Sequence, residues 1–145
     1  MNRYAIPVAV LVLSLVAGTV LYRSISSTRE RHVVEADFFT PYFAAIGQGR
    51  YAEAWKYHTP NWQMQHSLEV FTLHYKGMIA KYGTINRHSV LGTKAVGANL
   101  TVEYQIFFES HLVPVSYELV PQPEYSRWGI ESTVSAPDRN TASPW

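Results

Sequence analysis

The pattern of hydrophobic and polar residues divides the chain into one apolar segment, one domain and three polar pieces. The apolar segment carries no charge over eighteen residues. Beyond it, apolar residues recur at helical spacing and then, after Gly83, at every second position. The predicted organisation is a short N-terminal tail over residues 1–4, a transmembrane helix over residues 5–22, a tether over residues 23–32, an α+β domain over residues 33–136 and a disordered tail over residues 137–145.

Residues 5–22 are long enough to cross a bilayer, because they reach about 27 Å at about 1.5 Å of rise per residue. Tyr4 and Tyr22 at the ends suit the headgroup region. Pro7 falls in the first turn, where its missing N–H costs little. A signal peptide cleaved near residues 24–26 is the alternative, although its apolar core is usually only about 7–15 residues long. We expect an uncleaved anchor.

The charges around the span leave its orientation open. Arg3 precedes the span, whereas three arginines follow it. Because positively charged residues tend to stay on the cytoplasmic side of a membrane, this excess favours a domain in the cytoplasm. A four-residue N-terminal tail instead favours export of the domain. We expect a single-pass protein of the bacterial inner membrane with a periplasmic domain. Ser14 and Gly18 share one face of the span, where a partner helix could pack. The arginines that follow the span are Arg23, Arg29 and Arg31.

The first half of the domain predicts three helices. Pro41 lies inside the first one, which either kinks there or restarts with Thr40 as N-cap. The second is short, over residues 51–57, and is closed by Thr59 and Pro60. The third begins after Ser67 and ends at Gly83. The predicted inward residues are Val34, Phe38, Phe39, Tyr42, Phe43 and Ile46 in the first helix and Leu68, Phe71, Tyr75, Met78, Ile79 and Tyr82 in the third.

The second half predicts four antiparallel strands, the first of them over residues 85–96. Alternating residues mark one face of each later strand. Helices followed by a meander form an α+β fold, in which the helices cover one face of a curved four-stranded sheet. The residues on one face are Leu100, Val102, Tyr104, Ile106 and Phe108 in the second strand and Val113, Val115, Tyr117 and Leu119 in the third, and the alternating residues Trp128, Ile130, Ser132 and Val134 form the fourth strand.

Composition narrows the possible functions. Twelve Lys and Arg against eleven Asp and Glu give nucleic-acid binding no electrostatic support. The absence of cysteine excludes disulfides, thiolate metal sites and cysteine nucleophiles. His58, His66 and His74 are spaced by eight, but Pro60 separates the first two and no His-x-x-x-His pair occurs. We therefore predict no metal site and no cofactor.

Aromatic motifs of the domain carry a resemblance to a known family. They are Phe39-x-x-Tyr42-Phe43, Gly49-x-Tyr51-x-x-Ala54-Trp55, Val102-x-Tyr104-x-Ile106, Val115-x-Tyr117-x-Leu119 and Arg127-Trp128-x-Ile130. In these the chain resembles the nuclear-transport-factor-2-like superfamily, the cone-shaped fold shared with cystatin-like and SnoaL-type domains. The resemblance implies a pocket between helices and sheet. Its candidate lining residues are Tyr42, Trp55, His74, Tyr75, Tyr104, Tyr117 and Trp128.

Two functions fit this sequence. The first is a non-catalytic binding or scaffold domain of a bacterial envelope assembly, since an anchored domain without a catalytic motif suits such a role. The architecture resembles VirB-type components of type IV secretion machines, although their Asn-Pro-x-Gly turn is absent. The second is a small-molecule-binding or enzymatic domain, whose possible bases are Asp37, Glu103 and His74 and whose donors are Tyr42 and Tyr104. The expected partners are the lipid bilayer and envelope or secretion proteins. Self-association and an inhibitor role stay open.

Overall fold

A computed structural model describes residues 31–122 and 127–135. Four strands pair antiparallel in chain order, so the predicted α+β class and open four-stranded meander are confirmed. Among the residues described, no helix combines the length and apolar character needed to span a membrane. The predicted anchor and the C-terminal tail lie outside these residues. The elements are α1 (Thr40–Gly47), α2 (Tyr51–Trp55), α3 (Pro60–Gln65), α4 (Leu68–Tyr82), β1 (Ile85–Val96), β2 (Asn99–Phe108), β3 (Leu112–Gln122) and β4 (Arg127–Ser135).

The helix before α1 widens to accommodate Pro41. Residues 31–34 are helical, and Glu35–Phe39 forms a π-helical turn that leads into α1. Pro41 has no N–H to donate, and its ring would crowd the carbonyl four residues earlier. Thr40 keeps helical angles and bonds the Glu35 carbonyl through both its N–H and its hydroxyl. The helix therefore continues through Pro41 rather than restarting at Thr40. All six residues predicted to face inward are buried.

The region between α2 and α4 contains a helix that the sequence analysis missed. Thr59 and Pro60 begin α3, whereas we predicted that they close the preceding helix. The Thr59 hydroxyl accepts a hydrogen bond from the Trp62 N–H at 3.2 Å, and proline suits the first helical position. The third predicted helix, α4, has its expected Ser67 cap and Gly83 stop. Leu68 in its first turn is exposed, contrary to the prediction.

The predicted alternation is confirmed in β2 and β3. All five inward residues of β2 are buried, and so are Val115, Tyr117 and Leu119 of β3. Strand β3 continues through Pro121 to Gln122. The helical layer packs on this inward face of the sheet. The Phe39 ring centroid lies 4.5 Å from that of Tyr104 and 4.9 Å from that of Tyr117.

A β-bulge at Glu131 changes the face that the end of β4 presents. Leu119 pairs with Ile130, but the adjacent Glu118 pairs with Ser132, so Glu131 is an extra residue. Because side chains alternate along a strand, one extra residue moves every later side chain to the other face. Ile130 is buried as predicted, whereas Val134 is 61% exposed. Unbroken alternation would have kept Ser132 and Val134 on the same face as Ile130, and the bulge places them on the other face.

Candidate functional site

Four of the seven predicted pocket residues come together between the helices and the sheet. We call Tyr42, Tyr75, Tyr104 and Tyr117 the tyrosine cluster. Phe39 packs on Tyr42, Tyr104 and Tyr117, and the rings of Tyr104 and Tyr117 meet edge to face with their centroids 5.9 Å apart. All four tyrosines are buried. Because α1, α4, β2 and β3 each supply one of them, the cluster joins the helical and sheet layers.

The hydroxyls of the cluster bond to one another. The Tyr42 and Tyr75 oxygens lie 2.9 Å apart, and Tyr75 also hydrogen-bonds Tyr117. Burial, above all, raises the pKa of each of these three hydroxyls, and the neighbouring phenols raise the pKa of Tyr42 and Tyr117 further. The hydroxyls therefore stay protonated at physiological pH. They can donate and accept hydrogen bonds but cannot serve as bases.

The fourth hydroxyl, that of Tyr104, bonds to a histidine that the sequence analysis did not select. Its oxygen lies 2.6 Å from His88 Nδ1, and the Phe43 ring stacks on both partners. Burial lowers the pKa of His88, and the carboxylate of Glu35 opposes this shift. Burial also raises the pKa of Tyr104. The neutral forms of both groups are therefore favoured, and the hydrogen bond joins a phenol to a neutral imidazole.

A second irregularity of the sheet brings His88 to Tyr104. The hairpin turn pairs Val96 with Asn99, and this register would place His88 opposite Phe107 on the outward face. Leu91 is an extra residue in β1, so His88 pairs with Ile106 instead and lies diagonal to Tyr104. Only knowledge of this bulge would have identified His88 from the sequence.

The other three predicted pocket residues lie in different surroundings. Trp55 donates its indole N–H to the His66 carbonyl at 3.0 Å and so ties α2 to the end of α3. Trp128 is half-buried against the core and pairs with Pro121 in the sheet. His74 is half-buried beside Tyr75, and burial lowers the pKa of His74 to about 4. The histidine that bonds Tyr104 is His88, which was not among the predicted pocket residues.

The two carboxylates proposed as bases are exposed. Asp37 lies in the π-helical turn. Glu103 points outward from β2, as predicted, and accepts a hydrogen bond from the Ser116 hydroxyl at 3.2 Å. Neither carboxylate is placed to take a proton from a ligand among the buried tyrosines.

Two of the histidines enclose a tryptophan. The ring of Trp62 stacks between those of His58 and His66, with centroid distances of 3.7 Å and 4.2 Å. His58 is only 2% exposed and donates its Nδ1–H to the Trp55 carbonyl at 3.2 Å. Burial lowers the pKa of His58 to about 3. Within residues 31–122 and 127–135, no three His, Asp or Glu side chains are grouped so that they could hold a metal ion.

Comparisons of the chain with protein-family models, with curated proteins and with solved structures found no match.

Proposed function

We propose that this chain is a single-pass protein of the bacterial inner membrane whose periplasmic domain binds or scaffolds an envelope assembly without catalysis. We also propose that the domain has a nuclear-transport-factor-2-like fold and that the assembly is a secretion machine. The observation that carries the proposal is the tyrosine cluster. Its four rings are at most 8% exposed, and each hydroxyl is hydrogen-bonded to another buried hydroxyl or to His88.

The chemistry of the cluster supports a structural role. A general base needs a pKa near the working pH and must reach the proton that it removes. The buried phenols have raised pKa values, and the pKa of His88 is lowered while its Nδ1 is hydrogen-bonded to the Tyr104 hydroxyl. Aromatic packing with paired hydroxyls rigidifies a core. A rigid domain that presents its outer surfaces to a partner fits these properties better than an enzyme does.

Partner capture distinguishes this proposal from its small-molecule alternative. The tagged full chain would be cross-linked in native membranes, solubilised and purified beside a control that carries residues 1–32 alone. We expect a stoichiometric envelope protein that is retained by the full chain and not by the control. Native mass spectrometry of the same sample would reveal a retained small molecule. A bound small molecule without any protein partner would contradict the proposal and favour a small-molecule-binding or enzymatic domain.

The absence of cysteine allows a clean test of location. Ala98→Cys would place one thiol at the exposed turn between β1 and β2, and Asn2→Cys would place one before the apolar run. We expect a membrane-impermeant maleimide to label Ala98→Cys in intact spheroplasts and Asn2→Cys only after lysis. The reverse pattern would place the domain in the cytoplasm. A labelled domain in the soluble fraction, without its first residues, would show a cleaved signal peptide.

A further inference from the structure

The two ends of the sheet carry different turns. The turn between β1 and β2 consists of Gly97 and Ala98, and Val96 beside it is 55% exposed. The turn at the opposite end, between β2 and β3, contains Glu109, Ser110 and His111. Because surface turns are usually rich in polar residues, the apolar turn is unusual for an end that faces only water.

The first helical segment runs along the strands, and two ring contacts give its direction. The Phe39 ring packs on Tyr117 at a centroid distance of 4.9 Å, and the Phe43 ring stacks on His88 at 5.0 Å. Both ring partners pair with β2, and Tyr117 pairs with it closer to the β1–β2 turn than His88 does. The helix therefore approaches this turn in the direction of its own N-terminus.

The described domain begins level with the turn between β1 and β2. From Phe39 back to Arg31 the helix is about 12 Å long, and from the level of Tyr117 to the turn the sheet extends about 10 Å. Val33, near the start of this helix, is 47% exposed. The start of the helix and the turn thus share one end of the domain. We call its exposed apolar residues the apolar tip: Val33, Val96, Gly97 and Ala98.

We infer that the apolar tip lies on the surface of the bilayer beside the anchor, at the depth of the lipid headgroups. The inference rests on the proposed anchor over residues 5–22. Eight residues, 23–30, separate that span from the helix that starts at Arg31, and they reach at most about 30 Å. The end of the domain that carries the apolar tip is therefore the end held next to lipid.

The charges beside the tip and the short connection to the anchor both favour this contact. Lys94 is the one charged residue of positions 89–102, and it is exposed, as is Arg31. Both cations are attracted by anionic lipid headgroups. The Glu118 carboxylate near the turn is hydrogen-bonded to the Asn99 amide at 3.0 Å. The apolar area of the tip is small, but the anchor makes the contact intramolecular, so an interaction too weak to hold a free domain is still populated.

The depth of a single dye tests which end of the domain meets the bilayer. The full chain, with an environment-sensitive dye on Ala98→Cys or on Asn86→Cys, would be placed in nanodiscs of phosphatidylethanolamine and phosphatidylglycerol. Both positions are exposed, and Asn86 lies at the other end of β1, about 30 Å away. A nitroxide on the lipid headgroup should quench the dye at position 98 at least twofold more strongly than the dye at position 86. Equal quenching, or stronger quenching at position 86, would overturn the inference.

Substitutions on β1 test the contact itself. Val96→Asp should lower the quenching at position 98 at least twofold, because it places a charge against the lipid. Leu91→Asp is the matched control, since Leu91 is 49% exposed on the same strand but lies at the bulge, away from the turn, and it should leave the quenching unchanged. Circular dichroism would check that both variants are folded. Unchanged quenching in Val96→Asp, or an equal loss in Leu91→Asp, would overturn the inference.

A failure of the tip contact is distinguishable from a failure of the proposed function. A chain recovered in the soluble fraction, without its first residues, would overturn both the anchor and the contact. A chain that enters the nanodiscs with an unquenched dye at position 98 would overturn the contact alone and would leave partner binding to its own test. A thiol at headgroup depth still meets water, so the maleimide experiment with Ala98→Cys keeps its expected result.

Discussion

Strands β2 and β4 belong to one sheet, but only β2 keeps a single face in the core along its whole length. In β2 the inward residues from Leu100 to Phe108 are all buried. In β4 the bulge moves Val134 to solvent and directs the Glu131 carboxylate to the side chains of Thr59 and Asn61. The regular strand builds the core, and the irregular strand holds the start of α3. A bulge can therefore interrupt the alternation of side chains along a strand and place one of them in contact with residues that are distant in the sequence.

The regular strand should contain the most sensitive position. Tyr104→Ala removes a buried ring that packs on Phe39, Phe43 and Tyr117, and it leaves a cavity between the layers. We expect the free energy of unfolding to fall by about 3–5 kcal/mol, as for other large aromatic residues in cores. Urea denaturation followed by circular dichroism measures this change. A loss below about 1 kcal/mol would show that the cluster is not close-packed.

The side of the domain that β4 holds should become less stable as the pH falls. His58 bridges to Ile130 of β4, and burial lowers its pKa from 6.5 to about 3. Between these values the unfolded chain binds a proton that the folded chain does not. Stability is therefore complete above about pH 6.5 and is lost as the pH falls toward 3. From pH 7.5 to 5.0 the loss through His58 is about 2 kcal/mol.

The matched variant for this pH dependence is His58→Asn, whose amide can still donate to the Trp55 carbonyl. It should be less stable than the parent at pH 7.5, because the stacking on Trp62 is lost. Its stability should nevertheless change less between pH 7.5 and 5.0, as measured by urea denaturation at both values. An unchanged pH dependence would assign the effect to another group, such as His74, whose pKa is also lowered.

The sequence pattern was sufficient to predict the structure wherever residues close together in the chain determine it. The β2 alternation and the Ser67 and Gly83 ends of α4 depend on local chemistry, and all were predictable. The pairing of Tyr104 with His88 was not, because it depends on an extra residue at Leu91. The stack of His58 on Trp62 was also missed. This stack requires α3. The sequence did indicate that helix, because Thr59 is its N-cap and Pro60 is its first residue.

The bulge contact should contribute a smaller amount than the core. Glu131→Ala removes the acceptor of the Thr59 hydroxyl and of the Asn61 amide, and it leaves Thr59 buried. We expect a loss of about 1–2 kcal/mol, because hydrogen bonds to a charged group are stronger than neutral ones. Glu103→Ala is the control on β2, since that carboxylate is exposed, and it should change stability by less than about 0.5 kcal/mol.

A matched pair of substitutions gives the most direct test of the comparison between the strands. Val102→Thr and Val134→Thr make the same chemical change, at inward positions of β2 and β4 according to simple alternation. In β2 the new hydroxyl would be buried without a hydrogen-bond partner, so the free energy of unfolding should fall by about 1–3 kcal/mol. In β4 the bulge has already moved Val134 to solvent, so the change should be within about 0.5 kcal/mol. Equal losses at both positions, measured by urea denaturation, would mean that Val134 faces the core and that the ladder between β3 and β4 is unbroken.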